Sequence, residues 1–452
     1  GGYSGGRWVT SFGPEQSYKS TTCMEMSAWH AAQRFIDLKT EPNSRLPTVH
    51  IFDYEGSVEF AESDSIQFMT LVHKWAPDAT HSDIFGVRDA KGSFSSPPIV
   101  FLYKSIPDLE TAFEYIHDLA FQFPDVIRIN DSWYYKYPAG TTGFDAVADK
   151  ELSKTTKGVV IPAGDRLPGA QAIFVLDSLP AMTPRAFTGD DPSAALALQA
   201  RAFSEQIKRI QSLRTSKRLA IWAVNQLRDN PGAQRGKPPQ YEPCGNAPKF
   251  YSDGRIRHSP IAYSTMELPS HFKQVTGRQQ CIEPCWDGFG DDVYSFVKLR
   301  STKMKMGGLD QVEVSMRIWS SSNGKIGLGY DPAWDTWQAL TMMGLTEKST
   351  GNKYRVNAFG LEKAEIFMTW NEFKTLCLAP EDTDEGQDAI AAVYDHLRIP
   401  EDIAVGNLRN TVYSYIFDGS FGTSDGLVRM RDTCTGFVAK GTGEEDITDS
   451  VD

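Results

Sequence analysis

No apolar run in this chain is long enough to span a bilayer; the longest stop at strand length. No secretory leader opens it, so the expected location is cytoplasmic. Cysteine is sparse, with six in 452 residues, at positions 23, 244, 281, 285, 377 and 434. That argues against a disulfide-stapled secreted scaffold. Cys281 and Cys285 stand C-x-x-x-C, within the spacing range of zinc ligands, but no second pair follows at finger-like spacing. Reduced structural thiols are the plainer reading. Positive charge is also in deficit, 46 Lys and Arg against 58 Asp and Glu, for a net charge of −12. A protein coated in basic surface is thereby disfavoured, whereas a local basic groove able to neutralise phosphates is not.

What is present is ordinary for a globular enzyme: 40% apolar and 23% charged residues, in a chain long enough for one large domain and a smaller one. The chain opens with Arg-Trp-Val-Thr-Ser-Phe, a short apolar strand pattern, followed by Gly13-Pro14-Glu15-Gln16-Ser17-Tyr18-Lys19-Ser20-Thr21-Thr22 and a helical stretch from about Cys23 to Phe35. Strand, loop and helix in that order is the context a phosphate-binding P-loop requires. Loop amides and the helix N-terminus face the phosphates, Lys19 adds a mobile positive charge, and the Ser20 hydroxyl is placed to hold Mg²⁺. Tyr18 stands where the usual pattern has Gly. A Ser- and Lys-rich turn is the alternative for this segment alone.

Three further apolar runs end in polar residues. Thr48–Phe52 leads into Asp53-Tyr54-Glu55, Ala172–Leu176 into Asp177-Ser178, and Leu219–Val224 into Asn225-Gln226. Near-continuous apolar strands are the mark of a parallel sheet buried on both faces, and such sheets bind ligands beyond the carboxyl ends of their strands. The chemistry assigns Asp177 to the Mg²⁺ shell, Glu55 to activation of water, and Gln226 to a hydrogen bond with the terminal phosphate. Each taken singly could be a cap or turn former; four in the right order point to a nucleotide site with catalytic residues Glu55, Lys19 and Gln226.

At this point the chain resembles the RecA recombinase family. The Gly-Gly lead into Gly13-Pro14-Glu15, the segment Asp177-Ser178-Leu179-Pro180-Ala181-Met182-Thr183-Pro184, Asn225-Gln226-Leu227-Arg228, and Gly245-Asn246-Ala247-Pro248-Lys249-Phe250-Tyr251 carry the likeness. The phage UvsX branch is similar in detail: its P-loop also has an aromatic residue before the Lys, and Gly329-Tyr330-Asp331-Pro332 resembles its post-core segment. The resemblance implies an α/β, RecA-type P-loop ATPase core over 1–328, with a mostly parallel sheet flanked by helices. A smaller α+β C-terminal domain over 329–440 and an acidic tail over 441–452 follow. Stretches near 82–98, 129–170 and 252–292 look like insertions. It implies ATP and Mg²⁺ as cofactors, bound by Gly13 through Thr21 and by Asp177.

It also implies an ATP-dependent recombinase that forms a filament on single-stranded DNA and pairs it with homologous duplex, served by loader and single-strand-binding proteins in a phage-infected bacterial cell. The first DNA-facing loop would hold Arg185, Asp190 and Asp191, and the second Arg228, Arg235, Lys237, Gly245 and Asn246. Arg201, Ser204 and Lys208 share a face of a predicted helix at i, i+3, i+7. They match the family's DNA-contacting positions. Basic residues of a neighbouring subunit complete the ATP site in such filaments; the candidates are Lys298 and Arg300, or Lys303 and Lys305, with a charged edge strand as the alternative. The polymerisation arm that precedes the core in this family is expected to be absent or truncated in a chain that begins at Gly1. Two other readings share these features: a ring-forming helicase of the same fold, and a DNA-coating protein that has lost hydrolysis.

Overall fold

The computed structural model describes residues 5–417 apart from 42–44, 57–65, 90, 92–93, 105, 142, 146–149, 153–157, 165–166, 188–191, 230–239, 262–272, 275–279, 288–289, 306–310, 322–328, 349–352, 358–360, 362–366, 382 and 400–405. Two compact units share the chain. One comprises Gly1–Pro260, Val297–Ser315 and Ile326–Gly329; the other comprises Ile261–Phe296, Met316–Lys325 and Tyr330–Asp452. Residues 261–292, read from sequence as part of an insertion, thus go with the second unit.

The first unit is built on β1 (Trp8–Gly13), β2 (Thr48–Asp53), β3 (Val100–Tyr103), β4 (Ala172–Asp177), β5 (Leu219–Gln226) and β6 (Gly254–Pro260), joined by the second half of β7 (Asp291–Met304). Their order is β3-β2-β4-β5-β1-β6-β7. All neighbours run parallel except β6 and β7. The expected α/β core with a mostly parallel sheet is therefore present. The stretch at Gly254–Pro260, expected within an insertion, is a strand of this sheet beside β1.

Strand periodicity explains why both faces are covered. In β4, Ala172, Phe174 and Leu176 pack on one face with Phe113 of α2 (Leu109–Ala120) and Phe203 and Ile207 of α3 (Pro192–Ser216). Ile173 and Val175 point the other way, into the layer of Cys23, Met24, Ala28 and Ala31 from α1 (Lys19–Thr40). Successive residues of a strand face opposite sides, so two apolar layers demand an unbroken apolar run. Small residues on α1 let it lie close against the sheet and hold its N-terminus at the end of β1.

Between α2 and β4 the chain makes an antiparallel sheet of Asp125–Ile129, Ser132–Tyr137 and Val159–Gly164. In the second unit Arg317, wholly buried, pairs with Glu283 at 2.6 Å and with Asp331, while Lys374 lies 3.4 Å from Glu283 and 3.5 Å from Asp292. Tyr294 and Trp370 cover the guanidinium face. Helices Pro332–Met342, Trp370–Leu378 and Asp384–Leu397 and a small sheet of Thr346–Lys348, Lys353–Val356 and Met368–Thr369 complete an α+β unit. Among the described residues no helix is long and apolar enough to cross a membrane.

Candidate nucleotide site

The strand order brings four strand ends side by side. Gly13 at the end of β1 pairs in register with Gln226 at the end of β5, and Asp177 of β4 with Asp53 of β2. The Tyr54 amide donates to the Asp177 carbonyl at 2.7 Å, and the Leu227 amide to the Gly13 carbonyl at 2.8 Å. The residues predicted from separate stretches of sequence therefore converge.

The loop 14–18 is wound tightly over the N-terminus of α1. Gln16 and Tyr18 both adopt positive φ, 55° and 60°. Tyr18 thus takes up a left-handed conformation at the position where the common motif places glycine, at a cost of about 1–2 kcal/mol for an L-residue. No side chain caps α1, and its first turn carries no acidic residue, so its terminal amides remain available to an anion. Lys19 is folded back on the loop: its ammonium donates to the Pro14 carbonyl at 2.5 Å and to Ser17 Oγ at 3.2 Å. Burial lowers its pKa, against the pull of Glu55, Asp177 and Glu15. A Cβ on Gly13 would meet the His258 carbonyl at 2.4 Å, so β6 packs directly under the loop.

Asp177 is completely buried, and neither carboxylate oxygen has a well-formed hydrogen bond among the described residues. Burial pushes its pKa up to about 7, aided by Glu55 and Asp53, while the nearby Ser20 hydroxyl and Lys19 pull it down. The Asp177–Ser178 peptide is cis. Glu55 receives two donors on one oxygen: Gln226 Nε2 at 2.9 Å and the Ser178 hydroxyl. Ser178 received no role in the sequence reading, although a second polar residue after an apolar strand was its visible signal. Behind Gln226, Asn225 reaches Glu242 at 3.4 Å, and Glu242 pairs with Arg255, whose guanidinium lies over Phe12.

The other candidates divide. Lys298 and Arg300 both pair with Glu313, at 3.0 and 3.5 Å. Past an irregularity in the pairing of β7 with β6, Lys303 donates to the carbonyls of Lys249 and Phe250, and Lys305 to that of Phe250. Burial and Lys305 push Lys303 down to about 8. Arg185 is engaged by Asp108 at 3.3 Å and Glu114 at 3.0 Å, near the start of α2. Arg201 pairs with Glu205 one turn along α3; with Lys208 it is exposed, and Ser204 is half-buried. Arg228 opens a two-stranded ribbon with Gln240–Tyr241, Gly245 has φ 70°, and Asn246 is exposed. Asp190, Asp191, Arg235 and Lys237 lie outside the described residues.

Comparison with known proteins matches a family model, the RecA N-terminal domain, to residues 166–268, which run from before β4 to beyond β6. Protein RecA of Streptococcus agalactiae serotype III (strain NEM316) is 39% identical over 90 residues, 20% of this chain and 23% of that protein. Protein RecA of Bacillus thuringiensis (strain Al Hakam) is 38% identical over 90 residues, 20% and 26% of the two chains. The chain thus spans about a quarter of the length of the curated relatives it matches. Among solved structures, the RadB recombinase aligns with a TM-score of 0.34 and 11% identity over 70% of this chain and 90% of its own. A DnaB-like replicative helicase aligns with a TM-score of 0.35 and 10% identity over 70% and 57%.

Proposed function

We propose that this chain is an ATP-dependent DNA recombinase of RecA type, close to the phage UvsX-like branch. It assembles as a filament on single-stranded DNA and promotes pairing and strand exchange with a homologous duplex. The observation that carries the reading is the convergence of Lys19, Asp177, Glu55 and Gln226 at adjoining strand ends. ATP phosphates would occupy the amides of the 13–18 loop and the α1 terminus, with Lys19 leaving Pro14 to meet them. Glu55 acts as general base toward the attacking water, and Gln226 exchanges its bond to Glu55 for one to the terminal phosphate.

The donor set fits a magnesium ion. Among the described residues no three His, Cys, Asp or Glu side chains form a metal cluster of their own. Asp177, whose buried oxygens lack well-formed hydrogen bonds, and Ser20 are hard oxygen donors of the kind that bind Mg²⁺ together with nucleotide oxygens. When bound, the ion neutralises phosphate charge.

DNA would be held through Arg201, Ser204 and Lys208 on α3 and through the segment around Arg228, Gly245 and Asn246, mainly by its backbone. Lys303 and Lys305, rather than Lys298 and Arg300, are the better candidates for completing a neighbour's ATP site, because the latter pair shares Glu313. Action in the bacterial cytoplasm during phage infection, with loader and single-strand-binding proteins, belongs to the same reading.

The test is ATP hydrolysis with and without single-stranded DNA, for the intact protein and for Glu55→Gln. Strong stimulation that vanishes in the variant while DNA binding survives is expected. DNA binding without hydrolysis in either protein would leave a coating protein, and unwinding by hexamers would leave a helicase.

A further inference from the structure

We infer that Ser178 is a positioning residue for hydrolysis, its hydroxyl holding Glu55 in place when Gln226 turns to the nucleotide. This rests on the proposed ATPase reading and deepens it. Gln226 Nε2 and Ser178 Oγ both donate to Glu55 Oε1, which leaves Oε2 as the basic atom. The two donors differ in what else they must do. Gln226 sits on β5 at the register position of Gly13, where the phosphate loop begins, and its amide has a second acceptor once nucleotide arrives. Ser178 is wholly buried behind Asp177 and has no access to solvent. Its bond to Glu55 therefore persists through the change that removes Gln226.

Position matters because a general base must stay within hydrogen-bond reach of the water it activates. With Gln226 recruited and no Ser178 hydroxyl, the carboxylate of Glu55 would be free to turn about its side-chain torsions. The link spans 123 residues, from the end of β2 to the end of β4, and exists only because those strands are neighbours.

The experiment is steady-state ATP hydrolysis, with single-stranded DNA, by the full chain and its Ser178→Ala and Ser178→Thr variants, beside Glu55→Gln. Nucleotide affinity is measured separately with a non-hydrolysable ATP analogue. Loss of a charge-assisted hydrogen bond predicts that Ser178→Ala lowers kcat roughly tenfold or more. KM and analogue affinity stay within about twofold, since the bond orients the base rather than the nucleotide. Ser178→Thr, which keeps the hydroxyl, recovers most of kcat. Should Thr fail to fold in this tight site, adding Gln226→Ala to the Ala variant decides: because Gln226 has already turned to the nucleotide, Ser178→Ala lowers kcat by a similar factor in the Gln226→Ala background, and an effect that vanishes there overturns the inference. Hydrolysis by Ser178→Ala at the wild-type rate, or a loss shared equally by kcat and analogue affinity, overturns the inference while leaving the ATPase reading intact. Absence of Glu55-dependent hydrolysis in the wild type overturns both.

Discussion

Replacing Asp177 by Asn should stabilise the metal-free protein by an amount that grows with pH. The carboxyl is fully buried, and burial lifts its pKa from the ordinary 3.8 to about 7. The native state therefore holds a proton that the unfolded chain has released between those values, so stability falls as pH rises through this window. At about 1.4 kcal/mol per tenfold change in proton affinity, the charge costs ~4 kcal/mol at pH 8 and ~2 kcal/mol at pH 5. Asn carries no titratable proton and escapes that dependence, although its amide brings a constant cost of its own. Urea unfolding in EDTA at pH 5, 6, 7 and 8 measures the difference between the two proteins. The advantage of Asn should grow by about 2.5 kcal/mol from pH 5 to pH 8. Taking a difference cancels the titration of every other group. Magnesium with ATP should reverse the order at pH 8 by stabilising the wild type selectively, and the variant should lose hydrolysis. A difference that stays flat across this range would refute the reasoning, because it would mean that the native carboxyl titrates as the unfolded one does.

Other outcomes follow from the same structure. His50 and His258 are buried and held neutral, each pushed down to about 3. Their contribution to stability is present above the unfolded value of 6.5 and lost as pH falls toward 3, at about 2 kcal/mol each by pH 5; His258→Gln should flatten the acid limb of the unfolding midpoint. Asp253 accepts from the Trp8 amide at 2.9 Å and pairs with buried Arg214, so Asp253→Ala strands a buried cation and should cost ~3–5 kcal/mol in urea unfolding. Gly13→Ala drives a methyl to 2.4 Å from the His258 carbonyl. It should weaken ATP-analogue binding at least tenfold by calorimetry, as the loop has to move. Lys303→Ala should reduce DNA-stimulated hydrolysis, whereas Lys298→Ala, which leaves Glu313 paired with Arg300, should change it less than twofold.

The strand ends were legible because each is a contiguous apolar run closed by a polar residue, a local pattern that needs no partner to be seen. Gly13 through Ser20, Glu55, Asp177 and Gln226 could be named on that basis. β6 was harder to read, since Gly-Arg-Ile-Arg-His-Ser-Pro holds a single large apolar side chain, Ile256, among polar ones and looks like surface. Its place beside β1 rests on a parallel backbone pairing, with His258 meeting Ser11 at 3.1 Å inside the core. The engagement of Arg185 by Asp108 and Glu114 was invisible for the same reason, as its partners are more than 70 residues away. The division between Lys298 with Arg300 and Lys303 with Lys305 also rests on distant partners, Glu313 and the Phe250 carbonyl.

By itself, then, the sequence determined which polar residues close the apolar strands with side chains suited to phosphate, metal or water, because residue type and strand-end position are local properties. Only the tertiary structure decided which of them meet in space. The order β3-β2-β4-β5-β1-β6 sets Glu55 against Ser178 and Gln226 and encloses Asp177 away from water. Hydrogen bonds and desolvation depend on distance in space, which residues far apart in the chain acquire only when the sheet closes.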